Sequence, residues 1–169
     1  MQISVRDVPA LVVVTESRDV DQAGLEKWLP EAMADVHRGA GDAAAGTAEL
    51  AYLERGAFDD EPVFVAIYEG DPHEGPVTVE VCAPLRADAA APAGVPVRTV
   101  PAHREAYVRV TKETVVTGGL GEVYAAIDRW ITANGYAIVA APRETYWTDF
   151  PSAAMDDVVF DVGFPIAFS

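Results

Sequence analysis

The sequence predicts an α+β fold built as a tandem duplication of a strand-helix-strand-strand module, the two halves related by pseudo-two-fold symmetry with a ligand cleft between them. Four recurrences predict it. VRDVPA at Val5–Ala10 is answered 92 positions later by VRTVPA at Val97–Ala102. Leu25, Leu29, Ala32 and Val36 recur as Leu120, Tyr124, Ile127 and Ile131, offset by 95. Tyr68 and Asp71 recur as Tyr146 and Asp149 with an offset of 78, and VTVEVCAPL as VVFDVGFPI, from Val158 to Ile166, with an offset of 81. The whole chain, 1–169, then reads as one domain with a first module at 1–85, a linker at 86–95 and a second module at 96–169.

The elements follow in order. Residues from Gln2 to Thr15 are rich in β-branched side chains around Pro9, which suits two strand segments joined by a bend, or an edge strand that tolerates proline. Residues 19–22 are turn-like. Leu25, Trp28, Leu29, Ala32 and Val36 then mark one apolar helical face, with Pro30 as an early turn or kink and Gly39 as the end. The stretch from Gly39 to Asp60 is rich in alanine and glycine and fits either a loop or a short extra element. From Pro62 to Tyr68 and from Val77 to Leu85 two β-rich runs flank a turn and predict an antiparallel pair. RADAAAPAG, from Arg86, has linker composition. In the second half Thr117 is expected to cap the second helix, Gly118 and Gly119 to make the turn into it, and Asp156 and Asp157 to form a solvated hairpin connection. A sheet with one helix leaves a face uncovered, and the other copy is its expected partner. A cleft between the modules would be a natural ligand position.

Bulk composition narrows the function. Half of the 169 residues are hydrophobic, enough for a real core. Twelve basic against 27 acidic residues give a net charge of -15, which repels a phosphate backbone, so no nucleic acid is expected as a direct partner. Cys82 is the single cysteine and reads as a small core hydrophobe, in keeping with a reducing cytoplasm. Arg6 and Asp7 interrupt the amino-terminal apolar run, and no stretch approaches the roughly 20 apolar residues of a membrane span, so a cytoplasmic chain without membrane contact is expected.

Fold requirements are shared by both halves, whereas a specialised site breaks the symmetry. Aligning Tyr68 with Tyr146 sets Ala66 against Glu144, a methyl group against a carboxylate. Glu144 and Tyr146 share one face of a strand, an acid and an aromatic on one wall. Such a wall suits a flat, apolar, positively charged ligand. The aromatics expected nearby are Phe64, Tyr68, Tyr107, Tyr146 and Phe160, while Trp28 and Trp130 read as helix core and Trp147, of opposite parity, is expected beneath the helices. The plain alternative is a solvated Glu144, or one paired with Arg143 or Arg104.

Other chemistry is weakly represented. His37, His73 and His103 are scattered without metal-site spacing; Asp71, His73 and Glu74 share one turn that fits a solvated loop better than a metal site. No serine sits in a GxSxG setting. TGGLGE, from Thr117, lacks the lysine and spacing of a phosphate loop. No metal and no cofactor is implied. A buried carboxylate would have its pKa raised by burial and lowered by a bound cation, and a tyrosine on the same wall could donate a hydrogen bond to it. Together they could hold a cation or act as general acid and base.

The duplicated pattern, the run PVRTVPAHREAYVRVTKE, the run GYAIVAAPRETYWTDFP and the closing VVFDVGFPI together resemble the GyrI-like small-molecule-binding domain, which also forms the effector-binding part of multidrug-responsive transcription activators. The resemblance spans nearly the whole chain and is strongest from Pro96 onward. It implies two strand-helix-strand-strand (SHS2) modules around an aromatic-lined cleft, with the cleft acid that meets cationic aromatic drugs at Glu144. It also implies an alternative, because some stand-alone members are hydrolases that open strained, cyclopropane-containing alkylating compounds with such an acid. No helix-turn-helix segment or basic region accompanies it here, so a regulator acting alone is not expected.

Three readings follow. The first is a stand-alone multidrug-type binding protein that takes lipophilic, often cationic aromatic compounds through Glu144, Tyr146, Tyr107, Tyr68, Phe64 and Phe160. The second is a hydrolase of reactive small molecules in which Glu144 and Tyr146 are catalytic, with Tyr107 as a further candidate to assist. The third is an acidic protein that sequesters a basic protein partner.

Overall fold

The computed structural model describes residues 1–54 and 61–169. The last six residues of the alanine- and glycine-rich stretch, 55–60, lie outside the described residues. Among those described, nine strands form a single sheet.

The chain begins with β1 (Ser4–Val8) and β2 (Leu11–Val20), separated at Pro9. Helix α1 (Gln22–Ala40) starts at Asp21, whose carboxylate accepts from the Gly24 amide at 2.8 Å and so satisfies one of the helix's open donors. Pro30 lies inside this helix, and the chain leaves it at Gly41, with φ +54°, two residues beyond the expected end at Gly39. Strands β3 (Phe64–Tyr68) and β4 (Val77–Pro84) are the expected antiparallel pair. The second half contains β5 (Val97–Val100), β6 (His103–Thr111), a short helix α2 (Lys112–Val116), α3 (Leu120–Ala133), β7 (Tyr136–Ile138), β8 (Arg143–Tyr146) and β9 (Val158–Phe168). Helix α2 displaces one expectation. Thr117 closes α2, its amide donating to Glu113 and Val115, and does not cap α3, which begins at Gly119 without a side-chain cap. Gly118, at φ +80°, makes the turn between them.

The strand order is β1-β6-β9-β8-β3-β4-β2-β5, with β7 joined to β9. Exchanging β1 with β5, β2 with β6, β3 with β8 and β4 with β9 returns the same order read from the other edge. Registers follow too: Glu16 faces Val81 and Val108 faces Val162, positions related by the offsets of 92 and 81. At the centre β3 and β8 pair antiparallel, with Ala66 directly opposite Glu144. Residues 66 and 144 are themselves related by the offset of 78, so on the duplication reading an approximate two-fold would pass between them.

The halves therefore meet edge to edge, not with one covering the open face of the other. Pairing β3 with β8 satisfies backbone groups that two separate sheets would leave at exposed edges. The open face is covered instead by residues 45–53, where Ala45, Leu50 and Leu53 pack on Val13, Val65, Ile67, Cys82 and Trp147. Burial pushes the Cys82 thiol up to about 12, so it stays a neutral core residue.

The repeated VR motif acquires a role in this arrangement. β1 adds to the sheet of the second half and β5 to that of the first. Arg6 reaches Asp161 at 2.8 Å, and its counterpart Arg98 reaches Glu80 at 2.6 Å. Each half thus lends an arginine to an acid of the other. Arg6 also holds the buried Glu105 at 2.9 Å. Burial opposes the Glu105 charge, but the neighbouring His103 ring, 3.6 Å away, and the Arg6 charge outweigh it and keep this carboxyl below its ordinary range. At Asp161 burial outweighs the Arg6 charge, and the carboxyl is pushed up to about 6.

On the face of the sheet opposite this network, α1 packs on β2 and β4, and α3 on β6, β7 and β9. Val14, Val79, Val81 and Ala83 lie under Trp28, Ala32 and Val36, while Ala106, Val108, Val162 and Phe164 lie under Val123, Ile127 and Ile131. Among the described residues no helix is long and apolar enough to cross a membrane.

Gly163 provides a direct test of the ion network, since a Cβ there would stand 2.3 Å from Glu105 Oε1. The carboxylate cannot swing aside without leaving Arg6, so Gly163→Ala is expected to lower stability by about 1–3 kcal/mol, the usual range for overpacking. Thermal unfolding followed by circular dichroism measures this, and an unchanged midpoint would mean that Glu105 is free to move.

Candidate functional site

The two helices stand apart over the central strands, and between them lies a cavity of about 940 Å³. Its floor is β3 and β8. Leu25, Leu29 and Met33 of α1 form one wall, and Leu120 and Tyr124 of α3 the other, with Phe64, Phe160, Trp147 and Phe150 adding aromatic surface. The lining is predominantly apolar.

Glu144 lies at the floor and is 7% exposed. Alternation along β8 puts it on the helix side of the sheet while Arg143 points to the rear, where its guanidinium donates to the Ala141 carbonyl at 2.9 Å. Arg104, on β6, lies 3.8 Å from Asp7. Neither arginine is an ion-pair partner of Glu144, which sets aside the solvated and paired alternatives. Its partners are hydroxyls. Tyr124 donates to Oε2 at 2.5 Å, Tyr146 donates to Oε1, and Tyr68 donates to Oε1 at 3.4 Å while lying 3.3 Å from the Tyr146 hydroxyl.

Electrostatics follow from this geometry. Burial raises the Glu144 pKa above the ordinary carboxylate value; the hydroxyls of Tyr124, Tyr146 and Tyr68 act in the opposite sense and offset part of the rise. The same burial, reinforced by the neighbouring carboxylate, raises all three phenols well above their usual range, so they remain protonated donors. Among the described residues the cluster is a carboxyl with three hydrogen-bond donors and no cationic side chain. It can carry a proton, or it can face a cation brought by a ligand.

Of the six residues singled out from sequence, Glu144, Tyr146, Tyr68, Phe64 and Phe160 line this cavity. Tyr107 does not. It alternates with Ala106 and Val108, which face the helices, and so points to the rear, where its ring lies beneath the Arg6 guanidinium at 3.8 Å. Trp147 also departs from expectation: its parity opposite to Glu144 places it under residues 45–53 and not under α1 and α3, though its edge still reaches the cavity. Tyr146 and Phe160 are in tilted contact, with centroids 5.1 Å apart. In the sequence Tyr124 reads as one apolar position of a helix, and the structure adds it to the site. Its signal was available, since its counterpart Leu29 has no polar atom, the same kind of asymmetry that marks Glu144 against Ala66.

Known structures share this architecture. The C-terminal domain of EcmrR superposes with a TM-score of 0.73 at 17% identity, covering 99% of this chain and 98% of that one. SAV2435 bound to tetraphenylphosphonium gives 0.56 at 12%, covering 99% and 94%. A hydrolase of Listeria innocua gives 0.52 at 10%, covering 98% and 92%. At such identities these likenesses establish the fold alone. No curated protein matches the sequence. Residues 37–167 match the GyrI-like small molecule binding domain, and the chain belongs to that family.

Proposed function

We propose that this chain is a receptor for lipophilic, cationic aromatic compounds, which enter the cavity between α1 and α3 and place their charge against Glu144. One observation carries the reading: a buried carboxylate at the floor of a large apolar cavity, without a cationic side chain among the described residues to neutralise it. An isolated buried charge is unfavourable, so the empty site favours the protonated acid, and a bound cation restores the ionised form. The aromatic faces of Phe64, Phe160 and Tyr146 add attraction for a cation, about 0.5–2 kcal/mol per contact. Tyr124, Tyr146 and Tyr68 hold the carboxylate in place, which limits the ordering required on binding. Tetraphenylphosphonium, the ligand of the similarly folded SAV2435, has the charge and apolar bulk this cavity would take.

The hydroxyl cluster supports a second reading. A protonated Glu144 backed by phenols could donate a proton to a strained electrophile such as a cyclopropane and then, as carboxylate, activate the attacking water. Multiple turnovers on such a compound, followed by mass spectrometry and lost in Glu144→Gln, would establish it; a single covalent adduct or no conversion would exclude it.

Two outcomes are expected for the receptor reading. Glu144→Gln should weaken a fluorescent cationic dye on the order of tenfold or more, equivalent to about 1.4 kcal/mol or more, while an uncharged dye of similar shape changes little. Equal losses would deny the counter-charge role. The second concerns pH. Binding of a permanent cation requires the carboxylate and therefore displaces a proton from the empty site. Affinity should then rise with pH until it passes the elevated pKa of empty Glu144 and level off above it. Titration of the dye from acid to neutral pH measures the curve, which should flatten in Glu144→Gln.

A further inference from the structure

We infer that the three phenols around Glu144 act as a chemical filter, selecting cations without N–H groups, such as quaternary ammonium and phosphonium ions, over protonated amines of the same shape. This rests on the receptor reading above and adds to it which kind of cation the floor accepts.

A carboxylate offers about four acceptor positions, two on each oxygen. At Glu144 three of them face phenols. Tyr124 donates to Oε2 at 2.5 Å, while Tyr146 donates to Oε1 and Tyr68 approaches the same oxygen at 3.4 Å. The second position on Oε2 is the one that remains for a ligand. The phenols come from three elements, Tyr124 from α3, Tyr68 from β3 and Tyr146 from β8, so the fold itself fixes the collar. Their protons stay in place, because burial beside the carboxylate raises all three phenols well above their usual range.

A protonated primary amine brings three N–H donors. In water each is hydrogen-bonded, and on entering the cavity each needs a new partner or its desolvation goes uncompensated. One carboxylate position cannot serve three donors. The other acids that line the cavity, Glu26, Glu61, Asp71 and Asp149, are exposed, so among the described residues no second carboxylate stands at the buried floor. The phenol oxygens are neutral acceptors, and those of Tyr68 and Tyr146 already lie 3.3 Å from one another. A quaternary cation has no N–H to satisfy. Its charge and the aromatic faces of Phe64, Phe160 and Tyr146 suffice to hold it, and the floor that leaves an amine short of partners leaves an onium ion with none missing.

Decyltrimethylammonium and decylammonium share a chain and a charge and differ only in N–CH3 against N–H; near neutral pH both are fully ionised. Isothermal titration calorimetry is expected to give the wild type a preference of about tenfold for the trimethyl compound, the size of one or two missing hydrogen bonds. Three added methyl groups alone would also favour it, and Tyr124→Phe separates the two causes. That variant keeps the ring and its edge contact with Phe164, centroids 5.8 Å apart, and vacates a position on Oε2. Decylammonium should then gain on its partner and lower the ratio about threefold or more. A change in the proton affinity of Glu144 acts on both cations alike and cancels in the ratio. Tyr68→Phe, which vacates a position on Oε1, should lower the ratio less, since its bond is longer. Equal affinities in the wild type, or a ratio unchanged in Tyr124→Phe, would overturn the filter; should that variant not fold, an unchanged ratio in Tyr68→Phe decides against it. If both compounds bind without preference and weaken together in Glu144→Gln, the filter fails and the receptor reading stands. If neither binds, or Glu144→Gln leaves both unaffected, the receptor reading fails with it.

Discussion

The pairing of β3 with β8 is the interaction on which the rest depends. It joins two half-sheets into one, and its register sets Ala66 against Glu144 at the approximate two-fold. Everything converging on the carboxylate follows from that register. Tyr68 and Tyr146 are counterparts across the axis, and their hydroxyls come within 3.3 Å of one another at the Glu144 Oε1. A slip of one residue would turn Glu144 to the rear of the sheet and Arg143 into the cavity. The exchanged strands β1 and β5 reinforce the join through the pairs Arg6–Asp161 and Arg98–Glu80, one on each side of the axis. This correspondence of registers and ion pairs supports reading the halves as two copies of one unit, as we propose.

The two faces of the sheet divide the polar groups between two tasks. On the rear face Arg6, Glu105 and Asp161 are charges whose partners are built into the protein, and breaking such a buried set leaves an uncompensated ion. On the helix face the Glu144 carboxylate has donors but, among the described residues, no counter-ion. The first arrangement is self-contained. The second would be completed by a proton or by a cation from outside, and this difference, not the presence of buried acid as such, is why we propose a site there and scaffold on the rear face.

Much of this was legible in the sequence, for identifiable reasons. The offsets 92, 78 and 81 carried the strand correspondences, and the mismatch of Ala66 with Glu144 pointed to the cavity floor. Tyr124 needed the same comparison applied to a helix, where a tyrosine passes easily for an apolar residue. Tyr107 was misplaced although the alternation of Ala106, Val108 and Val110 fixed its parity. What could not be read locally was that the rear face is itself covered by residues 45–53, which gives an aromatic as good a burial there as beneath the helices. The same cover explains Trp147. The edge-to-edge join was equally out of reach, since hydrogen-bonding edges leave no mark on side-chain composition.

The asymmetry at the axis has a physical reason. Directly opposed residues on antiparallel strands place their Cβ atoms about 4.5–5.5 Å apart. A glutamate in both copies would set two buried carboxyls against each other, and the two could not both ionise there. One would hold the proton, and the pair would answer a cation with a shared, weaker charge. Ala66 removes that competition and leaves volume above the floor into which the three hydroxyls reach. On the receptor reading we propose, a site that needs a single charge at such an axis would break the symmetry there, while Tyr68 and Tyr146 remain alike because both donate to the same carboxylate.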